Sequence, residues 1–380
     1  MHGRQAPLRR HRRAARRPDR RRRGRDRRRA PGHGARVKPY RRRASTLSVR
    51  RTLRRRGAQP KVVALGGGMG LSASLAALRR ITGDLTAVVT VADDGGSSGR
   101  LREELGVLPP GDLRKALAAL CGDDDWGQTW ARVIQHRFQS KGEINGHAVG
   151  NLLIVALWEQ LGDPVQALDL VGRLLGAQGR VLPMSAVPLE LQALVRGHDP
   201  ERPDDVDTVC GQATVALTPG EVQSVHLVPN DPPAVPEAVE AVLDADWVVL
   251  GPGSWFSSVI PHLLVPELLD ALAETKARKV LSLNLAPQPG ETEGFSPQRH
   301  LEVLGRHAPK LALDVVLADE AAVPDVSARE PLVDAAKRLG AAVELAPVAG
   351  PDGSAKHDPE LLAAAYDRIF RMHGRIGPWR

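Results

Sequence analysis

The chain has 380 residues with 53 Lys and Arg against 44 Asp and Glu, a formal charge of +9, but residues 1–60 hold 25 of those bases and only Asp19 and Asp26. The remainder then carries 28 bases against 42 acids, so the basic average describes neither part and is no argument for nucleic-acid binding. Two scattered cysteines, Cys121 and Cys210, exclude a disulfide framework or cysteine zinc site, and no run of about 18 apolar residues reads as a membrane span.

The tract "RRHRRAARRPDRRRRGRDRRR" has almost no apolar residues to offset chain entropy, so residues 1–58 are expected to be a disordered, Arg-rich extension. It reads as a phosphate-binding arm, a transit peptide or an in-frame extension with no selected role; only the first would bring a nucleic-acid partner. The lack of an apolar h-region excludes a secretory signal, and a reducing cytosol fits the cysteine usage. One folded domain is expected over 59–372, with a basic tail at 373–380.

From Lys61 the pattern alternates. "KVVAL" (61–65) is a buried-strand run, "LSASLAALRRI" (71–81) has helical spacing and "LTAVVTVA" (85–92) is β-branched again, a β-α-β unit with parallel strands. Between strand and helix, "GGGMGLSA" satisfies G-x-G-x-x-A at Gly68, Gly70 and Ala73. Glycines there let a backbone approach a phosphate held by free N–H groups, which makes Gly67, Gly68, Gly70 and Leu71 candidates. A tight turn requiring positive φ is the plainer alternative.

The second strand runs into "ADDGGSSGRLREELG". An acid at that strand tip is where a dinucleotide fold places its ribose ligand; Asp93, Asp94, Gly95 and Ser97 suit a sugar or metal-phosphate contact better, with an Asx turn as the alternative. In "LGVLPPGDLRKAL", Asp112 reads as a helix N-cap, and Arg114 opposes the macrodipole and so is expected to face an anion. Helical stretches follow from Gly127 and Gly146, the second placing His147 and Asn151 four apart on one helical face.

Residues 180–230 read as a small β-rich insert of short strands broken by Pro and Gly. The α/β rhythm resumes with "DWVVL" (246–250), "KVLSLNL" (279–285) and "LDVVLA" (313–318), and a last helix is expected over 359–371. "VVLGPGSWFSSVIPHLL" repeats the strand, glycine turn, helix order, offering Gly251, Gly253, Ser254 and Ser257 to an anion. The loop "LNLAPQPGETEGF" adds Asn284, Gln288, Glu291 and Thr292. No Ser-His-Asp order, H-E-x-x-H motif, cysteine nucleophile or Walker motif assembles, so no catalytic residue is assigned.

In this order and spacing "GGGMGLS", "VTVADDGGSSGRLR", "LGVLPPGDLRKAL", "GHAVGNLL", "GPGSWFSSVIPHLL" and "NLAPQPGET" resemble the CofD-like family, most closely its YvcK branch of gluconeogenesis factors. The resemblance implies a cytoplasmic protein with a Rossmann-like, doubly wound and mainly parallel sheet that binds UDP-N-acetylglucosamine in regulating carbon flux into cell-wall synthesis and cell shape. It implies no required cofactor and leaves regulatory protein partners and a homo-oligomer open. The wider family holds 2-phospho-L-lactate transferases, which pass a phospholactyl group from a guanylyl donor to a deazaflavin alcohol with Mg2+; on that reading Asp93 and Asp94 would be the metal ligands. An NAD-binding oxidoreductase is a third reading, without a recognisable hydride-transfer dyad. Three positions depart from the pattern: Met69 stands for the usual Thr, "WFSS" replaces an L-Y-T-S-like run, and Ala286-Pro287 replaces a Met-Thr pair.

Overall fold

The computed structural model describes residues 59–351 and 355–373. The expected extension over 1–58 and the tail beyond residue 373 lie outside these residues.

Seven parallel strands, β1 (Lys61–Gly66), β2 (Asp84–Val89), β3 (Arg180–Pro183), β7 (Trp247–Leu250), β8 (Arg278–Ser282), β9 (Val315–Asp319) and β10 (Ala342–Ala346), form one sheet in the order β10-β9-β8-β7-β1-β2-β3. The central strands "VVAL" and "WVVL" are buried throughout, as expected of parallel strands covered on both faces. From β1 the chain winds outward through β2 to β3, then returns beside β1 as β7 and winds the other way. The strand order therefore reverses between β1 and β7, and it is outside the carboxyl ends of strands at such a reversal that a doubly wound sheet opens a crevice.

Helix α1 (Gly68–Leu78) follows β1 and packs against α3 (Gly111–Ala119) and against the last helix, α12 (Pro359–His373). Helices α2 (Gly96–Leu105), α4 (Asp125–Gln135), α5 (Val149–Leu161) and α6 (Pro164–Leu175) extend the β2 side. On the other side α8 (Pro236–Asp244) packs on α9 (Pro266–Glu274), and α10 (Pro297–His307) on α11 (Val326–Arg338). The core is built from Leu, Val and Ala, with Trp247 stacked on Phe370 at 4.3 Å between ring centres. Among the described residues no single helix is long and apolar enough to cross a membrane.

The β-rich excursion is a three-stranded antiparallel sheet, β4 (Glu190–Arg196), β5 (Val206–Cys210) and β6 (Glu221–Val228), in the order β5-β4-β6, with one helical turn, α7 (Gln212–Val215), before β6. It starts later than 180, because Arg180–Pro183 pairs with β2 and closes the main sheet; Pro183 sits at the end of an edge strand, where its missing N–H is tolerated. Two helix expectations also shift. Gly146 takes φ +76 and Ala148 bridges to Arg137, so α5 begins at Val149 and His147 precedes it instead of sharing a helical face with Asn151. After β7 the chain does not enter an α-helix but a π-turn over Trp255–Val259 and a 3-10 turn over Ile260–Leu264.

Candidate functional site: a cleft between two glycine turns

The turns after β1 and β7 meet. Gly68 takes φ +61 and Gly251 φ +68, values that side chains other than glycine adopt at a cost. A Cβ on Gly70 would overlap the Pro252 carbonyl and lie 2.6 Å from Gly253 Cα, so one turn seats directly on the other. Helix α1 has no side-chain N-cap of its own. Instead the Gly68 N–H donates to Asp112 Oδ2 at 2.9 Å, from the first turn of α3, and Lys115 Nζ donates to Asp112 Oδ1 at 2.8 Å. Asp112 thus serves a neighbouring helix, and Pro110 occupies the N-cap position expected for it.

The loop after β8 completes the arrangement. Asn284 grips Gly253 at two points, accepting from its N–H at 3.0 Å and donating to its carbonyl at 2.8 Å, while Gln288 Oε1 accepts from Asn284 Nδ2 at 3.3 Å. Between these loops lies a cleft of about 740 Å³. Gly67, Gly68, Gly70, Asp93 and Asp112 line one side, and Gly253, Ser254, Asn284 and Gln288 the other. Nine candidates from the sequence therefore share one concave surface at the carboxyl edge of the sheet.

The other candidates lie behind or beside it. Leu71 is core, 1% exposed. Gly251 supports the second turn, its carbonyl accepting from Ser74 Oγ at 3.0 Å. Ser257 Oγ donates to Glu291 Oε1 and the Phe256 N–H to Glu291 Oε2, so this buried acid braces the π-turn; burial pushes its pKa up despite those bonds. Thr292 is buried and accepts from the Gln288 N–H at 2.8 Å, shaping the loop that presents Gln288. Ser97 joins His147 Nδ1 at 3.0 Å and accepts from Asn151 Nδ2 at 2.9 Å, so His147 and Asn151 do meet, through a hydroxyl on α2. Burial, then Arg100, lowers the pKa of His147 and favours the neutral ring.

The acids of "ADDGG" part company. Asp93 lines the cleft and accepts from the Gly95 N–H at 3.0 Å; burial, then the charge of Asp112, raises its pKa. Asp94 turns away and accepts from the Ala213 N–H of the insert at 2.9 Å. The carboxylates that share the cleft are therefore Asp93 and Asp112, not the adjacent pair. Among the described residues no group of three or more His, Cys, Asp or Glu could hold a metal ion. Of the cleft carboxylates, Asp93 and Asp112 would be the ones to hold a magnesium ion completed by a bound phosphate, although both Asp112 oxygens already accept, from the Gly68 N–H and from Lys115 Nζ.

Arg114 is 2% exposed, with Nε and Nη1 lacking an acceptor. Burial, then the like charge of Arg137, lowers its pKa to about 10, and Asp112 and Asp93 act against that shift. The Arg114 stem packs against Gly150 of α5 and the residue does not line the cleft, so the anion expected beside it has no place in the cleft lining.

Several lining residues were not singled out from the sequence: Lys115, Gln212, Ser258, Lys356 and His357. Lys115 was legible as the i+3 partner of Asp112. The others arrive from the insert, the π-turn and the segment after β10, and nothing local marks them. Met69, 70% exposed, and Ala286-Pro287 also line the cleft, so two of the three departures change its apolar surface; Trp255 and Phe256 are core.

The family model described as "2-phospho-L-lactate transferase CofD" matches residues 62–342. A Mycobacterium leprae protein named "Putative gluconeogenesis factor" is 54% identical over 313 residues, covering 82% of this chain and 87% of its own. One of that name from Streptococcus pyogenes is 41% identical over 271 residues, covering 70% and 80%. A crystal structure of a UPF0052 family member from Bacillus halodurans superposes with a TM-score of 0.71 at 33% identity, covering 81% of this chain and 98% of the other. The match spans both glycine turns and every strand from β1 to β9, and the chain belongs to the CofD family, among the relatives named gluconeogenesis factors.

Proposed function

We propose that this chain is a nucleotide-sugar-binding regulatory protein of the cytoplasm, with UDP-N-acetylglucosamine as its ligand, acting where central carbon metabolism feeds cell-wall synthesis and cell shape. The observation that carries the binding reading is the meeting of two glycine turns at the strand-order reversal, where the start of α1 borders a cleft able to hold a ligand of that size, although the Gly68 and Gly253 N–H groups are themselves engaged by Asp112 and Asn284. Met69, Leu285, Ala286 and Pro287 give the cleft apolar surface for a ring, and Asp93, Gln212, Asn284 and Gln288 give it hydrogen-bonding groups for hydroxyls. The absence of G-K-[ST] after either turn argues against a nucleoside triphosphatase. The name borne by the relatives, gluconeogenesis factor, supports a place in central carbon metabolism.

The transferase reading draws on the family description and on the Asp93 and Asp112 carboxylates. When bound, magnesium would offset phosphate charge; these acids would orient it while Lys115 holds Asp112 in place. Calorimetry separates the readings. UDP-N-acetylglucosamine is expected to bind in the micromolar range or tighter, with no heat from NAD and no turnover of a guanylyl-lactate donor with a deazaflavin acceptor. Heat from NAD alone, or turnover of that donor, would reject the regulator.

A further inference from the structure

Asp94 follows a cleft residue yet spends its carboxylate elsewhere. Its Oδ1 accepts from the Ala213 N–H at 2.9 Å, and its Oδ2 occupies the space that a Cβ on Gly211 would need. Gly211 itself takes φ +92, so the chain leaving β5 turns sharply against Asp94. This contact ties the loop after β2, in the main sheet, to the insert, 119 positions further along the chain.

The residue between Gly211 and Ala213 is Gln212, which lines the cleft. Its Oε1 is buried and has no donor. A buried amide oxygen without a donor costs about 1–3 kcal/mol, and a cleft ligand that brought a donor to it would recover that cost. Asp93 is a further acceptor on the cleft lining, and Lys115 and Lys356 are donors there. A phosphate oxygen cannot answer the Gln212 Oε1 acceptor; a hydroxyl or an amide N–H can.

We propose that Asp94 is a positioning residue and Gln212 a specificity-determining residue: Asp94 pins the turn of the insert so that the Gln212 amide reads a hydroxyl or amide N–H on the sugar of the cleft ligand. This rests on the nucleotide-sugar reading. Asp94 acts here as a neutral acceptor would, through one oxygen to a backbone N–H, so Asn replaces it and Ala does not. A ligand to a metal, or a charge that contacts the ligand, would not tolerate Asn.

The test is calorimetric titration of the full chain and its D94A, D94N, Q212A and D94A/Q212A variants with UDP-N-acetylglucosamine and with UDP, together with amide hydrogen exchange over 211–215. D94A and Q212A are expected to weaken UDP-N-acetylglucosamine binding about tenfold, the loss of one hydrogen bond, and to leave UDP unchanged. D94N should stay within about twofold, and the double variant should be no weaker than the weaker single one. Exchange over 211–215 should quicken in D94A and not in D94N. The proposal is overturned if D94N is as weak as D94A, if Q212A loses UDP as strongly as the sugar nucleotide, or if neither single variant changes affinity. Failure of the unsubstituted chain to bind UDP-N-acetylglucosamine rejects the nucleotide-sugar reading and the role of Gln212 with it; unchanged exchange in D94A rejects the role of Asp94 independently.

Discussion

Gly68 and Gly70 sit two positions apart and are glycine for different reasons. At Gly68 a Cβ would meet nothing within 4 Å, and the constraint is its φ of +61. At Gly70 the constraint is space, since a Cβ would strike the backbone of Pro252 and Gly253. Gly68→Ala should therefore cost about 1 kcal/mol of stability, the strain of one residue held in the left-handed region, and leave the second turn where it is. Gly70→Ala must push the two turns apart, and because the obstruction is backbone it should cost about 1–3 kcal/mol and weaken ligand binding more than Gly68→Ala does. Urea midpoints and binding isotherms on both variants check this. Equal losses of affinity would mean that contact between the turns does not shape the site.

At the scale of elements, α12 clasps the cleft from behind. Its Tyr366 hydroxyl lies 3.0 Å from Ser74 Oγ on α1 and 2.9 Å from Ser282 Oγ at the end of β8, and Ser74 in turn donates to the Gly251 carbonyl. One phenol thus links the helix of the first turn, the end of β8 and, through Ser74, the second turn. All three groups are buried, and burial raises the Tyr366 pKa to about 12, so it stays a neutral donor. Tyr366→Phe keeps the ring stacked near Phe370 and removes only the hydroxyl; it should cost about 1–3 kcal/mol by leaving two serines short of a partner, and weaken cleft binding. A variant that loses stability but binds with unchanged affinity would make Tyr366 a core residue only. The β-α-β unit and both glycine turns were legible in the sequence because strand runs, helical spacing and glycines are local signals. Which side of a loop faces the cleft was not: Glu291 and Thr292 look like ligand groups in "PGETEG", yet they turn inward to brace the π-turn and the Gln288 backbone. Asp112 reads as a cap because its true partner, the Gly68 N–H, is 44 positions away. His147 left its expected helix because its carbonyl accepts from the Phe138 N–H, in a short antiparallel pairing of residues 146–149 with 136–138 that leads into the helix.

Taken whole, the fold buries several histidines as neutral rings, which makes its stability sensitive to acid. His262 is fully buried; its Nε2–H donates to the Val88 carbonyl at 3.1 Å and its Nδ1 has no partner, and burial holds its pKa down at about 4. His357, on the cleft wall, is likewise held at about 4 by burial, and His300 and His307 are lowered for the same reason. Each has a folded pKa below its unfolded value of about 6.5, so below that pH the unfolded chain binds more protons. The stability they contribute is therefore complete above about pH 6.5 and is lost as pH falls towards about 4. The buried acids Asp93 and Glu291, with raised pKa values, act in the opposite direction, since the folded chain takes up their protons first. Comparing variants isolates the histidine part. His262→Gln keeps an N–H for the Val88 carbonyl and cannot titrate, so its Tm should fall less steeply between pH 6.5 and 4 than that of the unsubstituted chain. Any difference between the two at neutral pH comes from lost packing, an offset that does not depend on pH. Parallel curves would show that His262 does not titrate in this window, and that the acid sensitivity has another source.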